Sequence, residues 1–223
     1  MSTIVAELEA ARIDVTTVAV DLFDMYGVLG EVTTIAAQHA EDLVHVNVST
    51  GTKLSAIGAA IACMELSTNA TAYYVHPEEY AHGDIDEPLT SEYADDEALP
   101  GYPIDSPTAE QVAVMDYVHR KDTTVYTPKK KDLIEFGKQA ALPFYANSTA
   151  KSDKAAFGRL KSRILDPLTE RKYVTVEHVG RRKQVSLTEL GEDTLRAFRH
   201  KLSESPECGV VTSPRNRPGN DDD

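Results

Sequence analysis

The sequence predicts an α/β chain in two parts: a half with a parallel sheet between helices, then a half of three helices, a β-hairpin and a closing helix. Two observations carry this reading. Apolar residues alternate between strand-like and helix-like spacing through the first 76 residues, and then keep helical spacing until a final pair of short strands. Charge divides the same way. Residues 1–105 hold only Arg12 and Lys53 against 19 Asp and Glu, a net of −17, while residues 106–223 carry a net of +4. Such asymmetry suits two domains with different partners.

In the first half, residues 3–12 read as a helix and IDVTTVAV (13–20) as a β-branched strand. Residues 27–40 place Val28, Val32, Ile35 and Ala36 at helical spacing. LVHVNV (43–48) reads as a strand, TGTKLSAIGAAIACMEL (50–66) as a helix apolar nearly all round, and ATAYYV (70–75) as another strand. Strands separated by helices imply crossover connections and a parallel sheet covered on both faces, a Rossmann-like arrangement. His45, alternating with Val44 and Val46, reads as a buried structural histidine, and Tyr73 and Tyr74 as packing at a strand end. The acidic, Pro- and Gly-containing stretch 77–106 reads as a linker or surface excursion, and 203–223 as a disordered tail.

Between them, residues 107–202 follow one order. Ser106 and Pro107 suit an N-cap and first helical residue, followed by Val112, Met115 and Val118. Thr127 and Pro128 repeat the signal before Leu133, Ile134 and Phe136. A third helix opens near Ser152 with Phe157, Leu160 and Ile164 as its buried stripe. YVTVEHV (173–179) and QVSLT (184–188) alternate around Gly180, and a last helix spans 189–202. Three helices, a hairpin and a closing helix make the winged helix-turn-helix order.

On the third helix that stripe turns Ala155, Arg159, Ser162 and Asp166 outward, with Lys151 and Arg163 beside them and Lys154 and Lys161 on the flanks. Small and basic outward residues suit the major groove, where Arg can donate two hydrogen bonds to guanine; flanking lysines suit phosphates. Arg181, Arg182 and Lys183 sit where a wing meets the backbone. The expected partner is double-stranded DNA, with a protein-binding winged helix as the alternative.

Other chemistries find little support. No apolar run approaches the ~20 residues of a membrane span, and the acidic N-terminus lacks the basic region of a secretory signal. Cys63 and Cys208 suggest neither disulfide nor zinc site, which fits a reducing cytoplasm. The stretch from His76 to His82 gives no shared face for a metal. No catalytic motif occurs, so the chain is not expected to be an enzyme.

One loop in the acidic half stands apart. NVSTGTK (47–53) joins a strand to a helix: Gly51 permits close backbone approach, Ser49, Thr50 and Thr52 add hydroxyls, and Lys53 is the lone lysine of that half. Either a phosphate-bearing ligand sits there, or Ser49 or Thr50 merely caps the helix while Lys53 points to solvent. The stretch VHVNVSTGTKLSAIGAAIACM resembles the strand-loop-helix signature of CARF domains (CRISPR-associated Rossmann fold), whose usual form is close to Asn-x-Thr-Gly-Gly-Thr-Lys. CARF domains fused to a winged helix form archaeal regulators, and the acidic composition resembles that of a haloarchaeal relative. The resemblance covers residues 1–76 and, in domain order, 107–202. It implies that Asn47, Ser49, Thr50, Gly51, Thr52 and Lys53 contact a ligand, with cyclic oligoadenylate as the family's usual one and no certain cofactor. It also admits a ring nuclease cleaving that ligand, or a dimerisation scaffold without one. Ser49-Thr50-Gly51 replaces Thr-Gly-Gly, and the resemblance leads us to expect a domain without the family's first strand. The apolar helix at 50–66 and the usual pairing of half-sites lead us to expect a homodimer.

Overall fold

The computed structural model describes residues 2–65, 68–80, 90–102, 104–146, 153–179 and 182–202. The chain opens with α1 (Ser2–Ala10). The strand expected over 13–20 does not form: Ile13 and Val18 are exposed, and only Val20 packs on a core cluster. A β-branched run becomes a strand only where a neighbour completes its hydrogen-bond ladder.

α2 (Met25–Gln38) starts at Asp24, whose side chain accepts from the Gly27 N–H. β1 (Val44–Asn47), α3 (Lys53–Met64) and β2 (Ala70–His76) form one crossover unit, with β1 and β2 parallel and Val44 opposite Ala70. The residues expected to be a linker then contribute strands. β3 (Glu79–Tyr80) and β4 (Thr90–Ser91) pair as a short excursion, and β5 (Asp95–Ala98) returns antiparallel to β2, with Tyr73 opposite Ala98. The sheet, in order β1-β2-β5, is therefore mixed, where a parallel one was expected. All four β5 residues are exposed, as suits a charged edge strand.

Nor is the sheet covered on both faces. Val44 and Val46 are half-buried while His45 and Asn47 are exposed, so helices cover one side. His45 is thus a surface residue, which corrects its expected burial. Tyr73 and Tyr74 are half-buried, and the Tyr74 ring meets His76 edge-on at 5.0 Å.

α4 (Ala109–Lys121) is capped by Thr108 in a reciprocal box with Gln111, two residues later than expected. Ser106 and Pro107 do other work: the Ser106 Oγ and the Pro107 carbonyl accept from Lys201 Nζ at 2.8 and 3.0 Å. α5 (Lys130–Gln139) likewise starts after Thr127–Pro128. There the Pro128 carbonyl accepts from the Val185 N–H at 2.8 Å and Lys129 bridges Gln184, which adds a short third edge to the hairpin. α6 (Pro143–Ala146) follows, then α7 (Asp153–Arg159), a π-helical segment Leu160–Leu165, and α8 (Asp166–Glu170). β6 (Val174–Val179) and β7 (Arg182–Leu187) form the hairpin. α9 (Glu189–Ala197) gives way at Phe198 to a 3₁₀ turn, Arg199–Leu202, where one helix was expected.

The two halves share a core. Leu29 and Ala62 belong to the same buried cluster as Val112, Met115, Leu133, Phe144, Leu160, Ile164 and Leu195. α2 lies on α9 so closely that a Cβ on Gly30 would stand 2.7 Å from the Arg196 carbonyl oxygen. Beside it the Thr33 hydroxyl donates to the Ala197 carbonyl at 3.1 Å, and Arg196 pairs with Asp24 at 2.6 Å. At the end of α3, Glu65 Oε1 meets Lys201 Nζ at 2.8 Å, with side chains 1% and 8% exposed. Among the described residues no helix is long and apolar enough to cross a membrane.

Candidate nucleic-acid interface

The third helix of the winged-helix order is not a regular α-helix, and two residues explain its shape. Pro167 has no N–H to give the Arg163 carbonyl four residues back, and just before it Asp166 donates five residues back, to Lys161. The Arg163 carbonyl is satisfied from outside: Gln111 Nε2 donates to it at 2.9 Å, while Gln111 Oε1 accepts from the Thr108 N–H. One buried amide thus caps α4 and pins the third helix to it.

The wider π turn moves the buried stripe. Ala156, Leu160, Ile164, Leu165 and Leu168 are buried, whereas Phe157, expected within the stripe, is 39% exposed. The extra residue shifts the register, so the outward set changes too. Arg159 is half-buried and its Nε–H donates to the Phe144 carbonyl at 2.6 Å, which commits it to bracing the helix. Ala155 is half-buried, while Lys161, Ser162 and Arg163 are exposed and Lys161 Nζ stands 4.0 Å from Asp166 Oδ2. Lys151 lies outside the described residues, as does the side chain of Lys154.

The hairpin is anchored at its base and free of the core beyond it. Val174 and Val185 are buried; Glu177, His178, Val179 and Lys183 are exposed. Val179 pairs with Arg182 at the end of the described ladder. Arg181 and the side chain of Arg182 fall outside the described residues.

Lys130 escaped the reading of the sequence. It is the first residue of α5 and half-buried. Burial, then the like charges of Lys183 and Lys161, hold its ammonium below the ordinary lysine range, and Asp166 acts the other way. The run Lys129-Lys130-Lys131 after Pro128 was a legible signal. Next to it, Tyr126 donates to Asp132 Oδ2 at 2.5 Å, and that bond pushes the phenol up to about 12.

In the acidic half, the polar groups of the Asn47–Lys53 turn are largely engaged by the turn itself and by Leu22, Ser55 and Val75. The Asn47 carbonyl oxygen of the side chain accepts from the Ser49 N–H at 2.8 Å, and Ser49 Oγ accepts from the Val75 N–H at 2.6 Å. Thr52 and Ser55 form a capping box, and the Thr52 hydroxyl also donates to the Leu22 carbonyl. The cap is therefore Thr52, where Ser49 or Thr50 was expected. Gly51, at φ +92°, Thr50 and Lys53 are exposed. Among the described residues no group of three His, Cys, Asp or Glu side chains is placed to hold a metal.

Residues 110–199 match the family described as the DUF6293 C-terminal winged helix domain, and residues 1–80 match one described as HFX_2341_N-like, N-terminal. No curated protein matches the chain. The second half is a winged helix domain, a fold suited to DNA binding.

Proposed function

We propose that this chain is a DNA-binding regulator of transcription, reading the major groove with Ser162 and Arg163 of the turn Lys161–Ser162–Arg163. The observation that carries the proposal is that this basic turn is exposed beside an exposed wing, on a winged helix domain, in a chain with a net charge of −13. A protein so acidic is repelled by DNA in general, so a local basic face marks where contact is tolerable. Selection of duplexes from a random pool, followed by anisotropy titration, tests it. Arg163→Ala should weaken the selected duplex by about 1–3 kcal/mol and random duplex much less. A pool showing no enrichment, or equal loss on both duplexes, refutes the base-reading role.

The regulatory part of the proposal assigns the acidic half to sensing, as a CARF-like domain taking a nucleotide such as cyclic oligoadenylate. With the Ser49 and Thr52 hydroxyls engaged, the exposed Thr50, Gly51 and Lys53 are the groups that would meet it. Calorimetry with cyclic oligoadenylate on the wild type and Lys53→Ala decides: heat from neither removes the sensing role. Two copies would pair to read two half-sites, and light scattering showing a monomer at micromolar concentration removes that part.

A further inference from the structure

Three lysines stand on three elements around the start of α5. Lys130 begins α5, Lys161 lies in the π turn, and Lys183 stands opposite His178 in the hairpin. Backbone bonds bring the first to the last. The Pro128 carbonyl takes the Val185 N–H, and Lys129 bridges Gln184, so the start of α5 is laced to the wing one residue from Lys183. Lys161 and Lys183 are both near enough to repel Lys130, and Asp166 acts against them.

The geometry points to a phosphate-binding site in which Lys130, Lys161 and Lys183 together grip one stretch of the DNA backbone. It rests on the DNA-binding reading and deepens it, by adding Lys130 and by making the three act as a unit. The argument is electrostatic. Lys161 and Lys183 outweigh Asp166 at Lys130, which leaves a locally positive surface in a strongly acidic chain. An anion among them turns their mutual repulsion into shared attraction. Lys130 is half-buried, so its charge is screened less than that of a free surface lysine. A phosphodiester fits the site because Lys161 lies on the helix expected in the groove and Lys183 on the wing expected on the backbone. Contacts of this kind position the duplex and carry no sequence preference.

The test is anisotropy titration of the full chain with a selected and a random duplex over a range of salt. Lys130→Gln should weaken both duplexes by the same factor and lower the slope of log affinity against log salt by about 0.9, the value of one phosphate contact. Lys130→Arg should keep the wild-type slope. Lys138→Gln, at the far end of the same helix and about 12 Å away along it, should change nothing. The double variant Lys130→Gln/Lys183→Gln should lose less slope than the two singles added together, because they share a phosphate stretch. A wild type that binds duplex while Lys130→Gln keeps its slope overturns the site alone. Full additivity overturns the sharing. A wild type that binds no duplex overturns the DNA-binding reading along with the site.

Discussion

Replacing Lys201 by Met removes a buried cation while keeping a side chain of similar length. Lys201 Nζ lies 2.8 Å from Glu65 Oε1, donates to the Ser106 hydroxyl and the Pro107 carbonyl, and sits 5.3 Å from the centre of the Phe198 ring. With the side chains 8% and 1% exposed, water cannot take over these bonds. Breaking a buried pair from one side typically costs about 3–5 kcal/mol, because the remaining charge stays desolvated. For a chain of this size that corresponds to roughly 6–20 °C in Tm. Thermal and urea unfolding followed by circular dichroism measure it. The double variant Glu65→Leu/Lys201→Met buries no lone charge and should be more stable than Lys201→Met alone. A single-variant cost below about 1 kcal/mol, or a double-variant cost equal to the two singles summed, refutes this reasoning.

Three other perturbations test the junction and the third helix. Gly30→Ala puts a methyl 2.7 Å from the Arg196 carbonyl oxygen, a backbone atom that cannot rotate away, and should cost about 1–3 kcal/mol in urea unfolding. Gln111→Ala removes the capping partner of Thr108 and the donor to the Arg163 carbonyl; about 2 kcal/mol should be lost, with faster amide exchange over residues 160–166. Asp24 is held below the ordinary carboxylate range by the Gly27 N–H and then by Arg196, against the opposing effect of burial. Its contribution is therefore present above the unfolded value of 3.8 and lost as pH falls through the folded one. The stability gap between wild type and Asp24→Asn should close on acidification and narrow at high salt, since this pair is partly exposed.

The parts of the fold that were legible are those where one face decides. Val112, Met115 and Val118, then Leu133, Ile134 and Phe136, are all buried at the spacing read from the sequence, and the hairpin pairs on either side of Gly180. What stayed illegible depends on partners distant in the chain. Residues 13–20 have strand chemistry, but chemistry alone does not supply a neighbouring ladder. The acidic β5 joins the sheet because β2 offers an open edge, although nothing in its composition favours a strand. Phe157 left the expected stripe because a π turn changes the period, and the cause, Pro167, reads in sequence as a plain helix boundary. At the candidate interface, Lys161, Ser162, Arg163 and Lys183 are exposed as an outward face requires, while Arg159 is drawn inward by a carbonyl of α6. Lys130 belongs to the same face only through the backbone bonds of Pro128 and Lys129 to β7, a tertiary fact that spacing cannot encode.

The shared core also changes how the halves could influence each other. A flexible tether would let the acidic half act only by local concentration or by pairing two copies. Here α9, which follows the wing strand through Thr188, is gripped by α2 at Gly30, Thr33 and Asp24. The Thr52 hydroxyl holds the Leu22 carbonyl two residues before Asp24, so the Asn47–Lys53 turn is joined to that grip by a short run of bonds. Proximity of this kind is not coupling. An effector at the turn changes DNA affinity only if it binds two arrangements of α2 on α9 unequally, and DNA must then bias the same two arrangements in return. The contact at Gly30 leaves no room for α2 to sink further toward α9, so any second arrangement must slide or lift the helix and break the Thr33–Ala197 bond. That bond is where a change of state would register first.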